Sequence, residues 1–375
     1  VLCAVGVDFA PIDLSEAHAR MITMEQLLTL LLQQRGSDLH ISAGSPPRLR
    51  IDGVLVPVEH PPLSPEDTRR LATSVLNSEQ IARLDRDLEL DCSFGLDGQG
   101  RFRANVFHQQ GAVACVLRTI PQHVPTFEDL GLPRDVCERI CNLNSGLVLV
   151  TGATGSGKST TLASMIDHIN RTQAGHIVTI EDPVEFTHRH KNCVVTQREV
   201  GADTHGFSRA LKSVLRQDPD YVLVGELRDH ETIEAALTLA ETGHLTFGTL
   251  HTSDAVQTIN RIIDVFPATQ QAQVRTQLSF TLEAVFCQQL LPNQNGRGRS
   301  LSAEVMLATP GIRALVRDGK GHQIYSHLQT GGRMGMRTMS ASLADLVRRG
   351  KVSQAVAETY VSDPSELRTL VRGAA

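Results

Sequence analysis

The octapeptide Gly152-Ala-Thr-Gly-Ser-Gly-Lys158-Ser159 constrains this chain more than any other stretch. It follows the apolar run Gly146-Leu-Val-Leu-Val-Thr151 and precedes a helical pattern, Thr160-Thr-Leu-Ala-Ser-Met-Ile-Asp-His-Ile169. Strand, glycine loop and helix in that order are the context that a G-x-x-x-x-G-K-S phosphate loop requires. The glycines let backbone N–H groups converge on phosphate oxygens, and the helix N-terminus adds a positive dipole end. The nucleotide-binding stretch is therefore read as Gly152, Ala153, Thr154, Gly155, Ser156, Gly157, Lys158, Ser159 and Thr160. Lys158 is expected to reach the β- and γ-phosphates and Ser159 to ligate Mg²⁺. The chain thus binds a nucleoside triphosphate, and the use it makes of one has to be read elsewhere.

Buried-type strands alternate with helices around this loop. The strands are Leu147–Thr151, His176–Glu181, Tyr221–Val224 and Leu245–Thr249, and the helices are Ser159–Arg171, Phe207–Gln217 and His230–Thr242. Near-continuous apolar strands of this kind fit a parallel sheet covered on both faces, and with the phosphate loop they predict an α/β P-loop NTPase core. From Ala268 the pattern reads as a mostly helical tail broken by the loop Asn293–Arg299. Ahead of the core, Met24–Arg35 reads as an amphipathic helix, with short strands at Leu39–Ser42, Arg48–Ile51 and Val54–Val56. Asp52-Gly53 between the last two is a hairpin signal. Ser64-Pro65-Glu66-Asp67 opens a helix running to about Asn77, and strands follow at Leu88–Phe94, Arg101–Gln109 and Ala112–Ile120. The resulting division is an extension at 1–23, an α+β domain at 24–120, a linker at 121–143 punctuated by Pro121, Pro125 and Pro133, and the ATPase domain at 144–375. The extension reads as an over-extended translation start, with Met21 or Met24 as the true beginning.

Hydrolysis needs a carboxylate to orient or deprotonate the attacking water. The strand Ile177–Ile180 ends in Glu181-Asp182-Pro183-Val184-Glu185, and acids past a strand's C-terminal end lie at the ligand edge of an open α/β sheet. Glu185 is the candidate base, with Glu181 and Asp182 behind it or on the metal side. Tyr221-Val-Leu-Val-Gly225-Glu226 has the form of a Walker B strand, except that Gly-Glu replaces the usual aspartate, which leaves Glu226 as the metal-side acid. His244 and His251 bound a further strand. His251 falls at its C-terminal end, near the nucleotide, where position alone leaves a structural and a catalytic role open. About 20 Å of strand between the two histidines excludes shared metal ligation. Arg101 and Arg103 share one strand face and Arg118 lies on the next strand. Spacing alone leaves open a solvated face or a cluster that neutralises phosphate, a task suited to the planar guanidinium.

Composition removes other classes. The net charge is −5 with no basic stripe, aromatics make up 4% and Trp is absent, which argues against nucleic-acid partners and base-stacking platforms. The seven cysteines contain no C-x-x-C pair, so no zinc knuckle is predicted. No apolar run approaches the roughly 20 residues of a membrane span, and no signal-peptide pattern opens the chain. These features predict a cytosolic protein, or one peripheral on a membrane's inner face.

Taken in order, four boxes resemble those of the secretion ATPases, and most closely the type IV pilus retraction branch: Gly152–Ser159, Thr179–Glu185, Leu223–Glu226 and Thr242–Thr252. The resemblance covers nearly everything from Met24 to about Gly350. It implies a PAS-like α+β domain followed by a RecA-like domain, assembled into a homohexameric ring with ATP between domains and subunits. It implies catalytic roles for Glu185, Glu226 and His251, with Mg²⁺ held by Ser159 and Glu226. It also implies that Arg101, Arg103 and Arg118 close on the nucleotide, and that an inner-membrane pilus platform protein receives the force. The assembly branch carries a tetracysteine zinc insertion; here that domain has only Cys193 and Cys287. The retraction branch carries an Ala-Ile-Arg-Asn-Leu-Ile-Arg-Glu helix. The counterpart is Gly311-Ile-Arg-Ala-Leu-Val-Arg-Asp318, which keeps Ile312, Arg313, Leu315 and Arg317. The departures leave an accessory retraction paralogue as the alternative, with a RecA-like nucleic-acid translocase or a non-hydrolysing subunit further off.

Overall fold

The computed structural model describes residues 21–373 apart from 52, 97–99 and 122, so most of the expected extension at 1–23 lies outside the described residues. The chain divides into two compact units between Gln122 and His123. The first contains α1 (Met24–Gln33), β1 (Asp38–Ile41), β2 (Arg48–Ile51), β3 (Val54–Pro57), α2 (Pro65–Thr73), α3 (Ser78–Asp87), β4 (Glu89–Leu96), β5 (Gly100–Gln109) and β6 (Ala112–Ile120). Its six strands form an antiparallel sheet in the order β3-β2-β1-β6-β5-β4. Thr23 and Gln26 close a capping box at the start of α1, which buries Leu27, Leu28 and Leu31 against the sheet. Sequence patterning missed α3. Its own capping box, Asn77 with Gln80, starts a second helix over residues to which the sequence pattern assigned no element.

The second unit contains α4 (Phe127–Leu130), α5 (Arg134–Cys141), β7 (Gly146–Thr151), α6 (Lys158–Thr172), β8 (His176–Glu181), β9 (Val194–Glu199), α7 (Phe207–Val214), β10 (Tyr221–Val224), α8 (His230–Glu241), β11 (Leu245–Leu250), α9 (Ala255–Asp264), α10 (Gln271–Thr281), β12 (Leu282–Pro292) and β13 (Arg299–Leu307). After these come α11 (Pro310–Arg317), α12 (Ile324–Thr330), α13 (Met339–Arg348), α14 (Gln354–Glu358) and α15 (Pro364–Arg372). The seven strands run in the order β13-β12-β7-β11-β10-β8-β9. All neighbours are parallel except the β12–β13 hairpin. Alternate residues of β7 serve opposite faces. Leu147 and Leu149 join the core beneath α7–α10, and Val148 and Val150 join the core beneath α4–α6.

The second unit departs further from the sequence pattern. The expected linker 121–143 holds α4 and α5, whose Phe127, Val136, Cys137, Ile140 and Cys141 are core residues of the second unit. Two of the prolines that suggested a linker instead precede helices, Pro125 just before the Thr126 cap of α4 and Pro133 at the N-cap of α5. The helical tail is interrupted by β12 and β13, with residues 293–298 as the hairpin loop. The edge strand β9 was also not anticipated.

Candidate nucleotide and catalytic site

Parallel pairing aligns the C-terminal ends of four strands along one edge of the sheet. In register, Ile180 sits beside Val224, Val224 beside Gly248, and Leu250 beside Thr151. The loop 152–157, the turn after Glu181, Gly225-Glu226 and His251 therefore leave the sheet side by side. Open α/β sheets bind ligands at this edge.

The phosphate loop has left-handed backbone at Gly152 (φ 139°) and Gly157 (φ 93°). At Gly152 there is no room for a side chain either: a Cβ would stand 2.3 Å from the Gln288 carbonyl oxygen and 2.6 Å from Ser156 Oγ. Strand β12 thus forms the back wall of the loop. Gln288 also donates from Nε2 to Thr161 Oγ1 at 2.7 Å, tying the first turn of α6 to that wall. Gln288 was not singled out from sequence, because β12 itself was not. The α6 N-terminus has no side-chain cap, so its leading N–H groups are available to an anion. Buried Ser156 Oγ has no partner among the described residues. Lys158 lies inside the loop, where its Nζ donates to the carbonyls of Gly152 (2.8 Å) and Ala153 (3.0 Å). Burial draws the Lys158 pKa below the ordinary lysine value, against the pull of Glu226. Ser159, at the first turn of α6, is exposed. Glycine cradle, uncapped helix and fixed ammonium together fit a nucleotide's phosphates.

Glu226 is the hub of the charged cluster at this edge. Its Oε1 lies 2.6 Å from Arg228 Nε and 3.1 Å from His251 Nε2. The hydrogen bond from Arg228 leads the causes that hold its carboxyl below the ordinary value, and His251 and Lys158 add to them. The structure thus unites Glu226, His251 and, in electrostatic reach, Lys158. Arg228 went unremarked in the sequence, although its place two residues past the Walker B acid is a usable signal. Gly225, the apparent irregularity of that strand, has a packing cause. A Cβ there would stand 3.1 Å from the Ile180 carbonyl oxygen and 3.2 Å from Glu181 Cα.

Glu185 is exposed on the turn after β8 and, among the described residues, touches neither Glu226 nor Lys158. Its N–H donates to Glu181 Oε2 at 3.4 Å. Glu181 accepts from Thr179 Oγ1 (2.7 Å) and Gln197 Nε2 (3.2 Å), and burial pushes its carboxyl up. Glu181 is therefore a brace inside the turn. Asp182 is exposed beside it. His244, at the far end of β11, closes a turn: its Nδ1 lies 3.0 Å from the Leu239 carbonyl oxygen.

In the first unit, Arg103 sits opposite Arg118 in the β5–β6 register, with Arg101 on the same face and Phe102 buried on the other. Arg101 donates to Ser93 Oγ at 2.7 Å, Arg103 lies 3.9 Å from Asp91, and Arg118 pairs with Asp38 at 2.8 Å. The arginine face exists, and its members have partners within their own unit. Among the described residues no group of His, Cys, Asp or Glu side chains is arranged to hold a metal, and no helix is long and apolar enough to cross a membrane.

A parallel sheet carrying a phosphate loop, a Walker B acid and a neighbouring histidine on one edge defines a P-loop ATPase. The family model for Type II/IV secretion system proteins matches residues 14–372, and the chain belongs to that family. It is 50% identical to the type IV pilus retraction ATPase PilT of Pseudomonas aeruginosa, covering 88% of this chain and 95% of that protein. It is 42% identical to the type IV pilus ATPase PilU of the same organism, covering 93% and 91%. A solved structure of the pilus retraction motor PilT with bound ADP superposes with a TM-score of 0.87 at 48% identity, over 92% of this chain and 99% of that one.

Proposed function

We infer that this chain is an ATP-hydrolysing motor that powers type IV pilus retraction. The Lys158-lined loop beside the Glu226–His251 contact carries the hydrolytic part of this reading. The retraction part draws on the likeness to PilT along nearly the whole length. In the proposed cycle the backbone N–H groups of the loop and Lys158 hold the triphosphate. Ser159 and Glu226 are the residues that would hold Mg²⁺, which would supply charge neutralisation when bound. Glu185 orients and deprotonates the attacking water. His251 and Arg228 keep Glu226 ionised and aimed. Arg101, Arg103 and Arg118 exchange their present partners for phosphate oxygens when the arginine face closes on a nucleotide. A homohexamer acting on an inner-membrane platform protein is the assembly proposed for this work.

The helix at Gly311–Asp318 bears on which retraction motor this is. Ile312 is fully buried, and Arg313 donates to the carbonyls of Ser279 and Phe280 and to Glu283. These kept positions hold α11 in place, and among the four only Arg317 is exposed. An accessory retraction ATPase therefore remains the second reading, favoured by the changed residues Ala314 and Asp318. A clean chromosomal deletion decides between them. Excess surface pili with lost twitching is the outcome expected of a principal motor. Unchanged twitching points to the accessory role, and loss of pili overturns retraction.

A further inference from the structure

A second cationic site lies in the catalytic unit, away from the phosphate loop. The edge strand β9, the loop at residues 200–206 and helix α7 line an open groove of about 510 Å³. That volume falls within the range of small-molecule sites, roughly 300–1,000 Å³. Four cationic side chains line it: Arg198 from β9, and Arg209, Lys212 and Arg216 from α7 and its end. Residues three apart on a helix share a face, so Arg209 and Lys212 form one row, and Arg216 follows in the turn after α7.

Arg198 is half-buried, and its guanidinium is fixed by neutral acceptors: Nη1 donates to Ser213 Oγ and Nη2 to the Asp203 carbonyl oxygen, each at 3.2 Å. Arg209 and Arg216 form no ion pair among the described residues. Lys212 reaches Glu231 at 3.8 Å, where both groups are exposed and such a contact holds weakly. The one acid in the lining, exposed Asp203, has one carboxylate oxygen engaged by the Glu199 N–H at 2.8 Å. Cationic charge therefore converges on this groove with little internal compensation. A guanidinium already held in place loses less freedom when it binds an oxyanion.

We propose that this groove binds a soluble phosphorylated small molecule, held by Arg198, Arg209 and Arg216, at a site separate from the hydrolysed nucleotide. Its position suggests how occupancy is sensed. Phe207 opens α7 and would lie 3.7 Å from a Cβ on Gly225, next to Glu226.

The test is calorimetry with pyrophosphate on the full chain, first saturated with ADP and Mg²⁺ so that the phosphate loop is filled. One further binding event per chain is expected, weakening with added salt. It should weaken at least about tenfold in R198Q and in the exposed double variant R209E/R216E, as for loss of charge-assisted hydrogen bonds. The double variant should melt as the parent does, which separates lost binding from lost folding. No second event, or an event of equal strength in R209E/R216E, overturns the proposal. Retention on phosphatidylglycerol vesicles without any pyrophosphate binding also overturns it, in favour of a membrane surface. So does a double variant that fails to assemble, in favour of an acidic neighbouring subunit.

Discussion

The two edges of the seven-stranded sheet carry similar residues in opposite conditions. At the amino edge, polar side chains fasten turns and neighbouring strands. His176 Nδ1 lies 2.9 Å from the Gln217 carbonyl oxygen and its Nε2 lies 2.9 Å from Thr196 Oγ1, Asp220 accepts from the His176 N–H, and His244 closes on Leu239. At the carboxyl edge, charged side chains gather on one carboxylate. His251 and Arg228 meet Glu226, and the α6 N-terminus has no side-chain cap. Parallel strands create this asymmetry because every loop that follows a strand opens on the same side. On one strand, a histidine at one edge closes a turn and the same residue type at the other meets a carboxylate.

Substitutions that remove charge from the carboxyl edge test the contrast most severely. Lys158→Ala is expected to lower phosphate release by about 10²–10³-fold, the loss typical of a preorganised electrostatic group, with unchanged far-UV circular dichroism. Near-parental turnover would mean that the loop is a turn and no more. Glu185→Ala should lower turnover by about 10²–10⁴-fold as removal of a general base, while ADP binding measured by fluorescence persists. Full activity in that protein would move the base to another carboxylate, with Glu226 the first candidate.

The paired histidines give the next smaller effect. His251→Ala should reduce turnover about tenfold or more, because Glu226 loses a donor 3.1 Å away. His244→Ala should leave turnover intact and lower stability by about 1 kcal/mol, the worth of a hydrogen bond to the backbone. Steady-state kinetics and thermal melts on both proteins read the two effects separately. If both variants lose activity alike, the two edges do not differ as their contacts indicate.

The sequence made this contrast only partly legible. Strands β7, β8, β10 and β11 announced themselves because buried parallel strands are apolar throughout, and each terminal acid or histidine followed by position. The Glu226–His251 contact depends on the register of β10 against β11, which no local pattern encodes. Strand β12, Leu282-Glu-Ala-Val-Phe-Cys-Gln-Gln-Leu-Leu-Pro292, has no period of two and is rich in helix formers. Its parallel pairing with β7 overrides that preference, and with it came the unforeseen Gln288 wall. Helices α4 and α5 were hidden by prolines that begin helices as readily as they end them. The capping box of Thr126 with Asp129 was the better signal.

The smallest expected effect separates two carboxylates within the same turn. Glu181 braces the turn and Glu185 is exposed, so their replacements should diverge. Burial raises the Glu181 carboxyl above the ordinary value of 4.5. The folded state therefore holds this proton more tightly than the unfolded chain does. The associated stability is complete below the unfolded value and is lost as pH rises through the folded one. Glu181→Gln cannot titrate, so its melting temperature should fall less than the parent's as pH rises through that window. At neutral pH the two proteins should differ by no more than about 1 kcal/mol, since the amide oxygen still accepts from Thr179. Turnover should drop far less than in Glu185→Ala. Identical pH slopes would show that Glu181 is not the brace of the turn. A collapse of turnover equal to that of Glu185→Ala would show instead that the inner carboxylate takes part in the chemistry, and the boundary between scaffold and site would shift by four residues into β8.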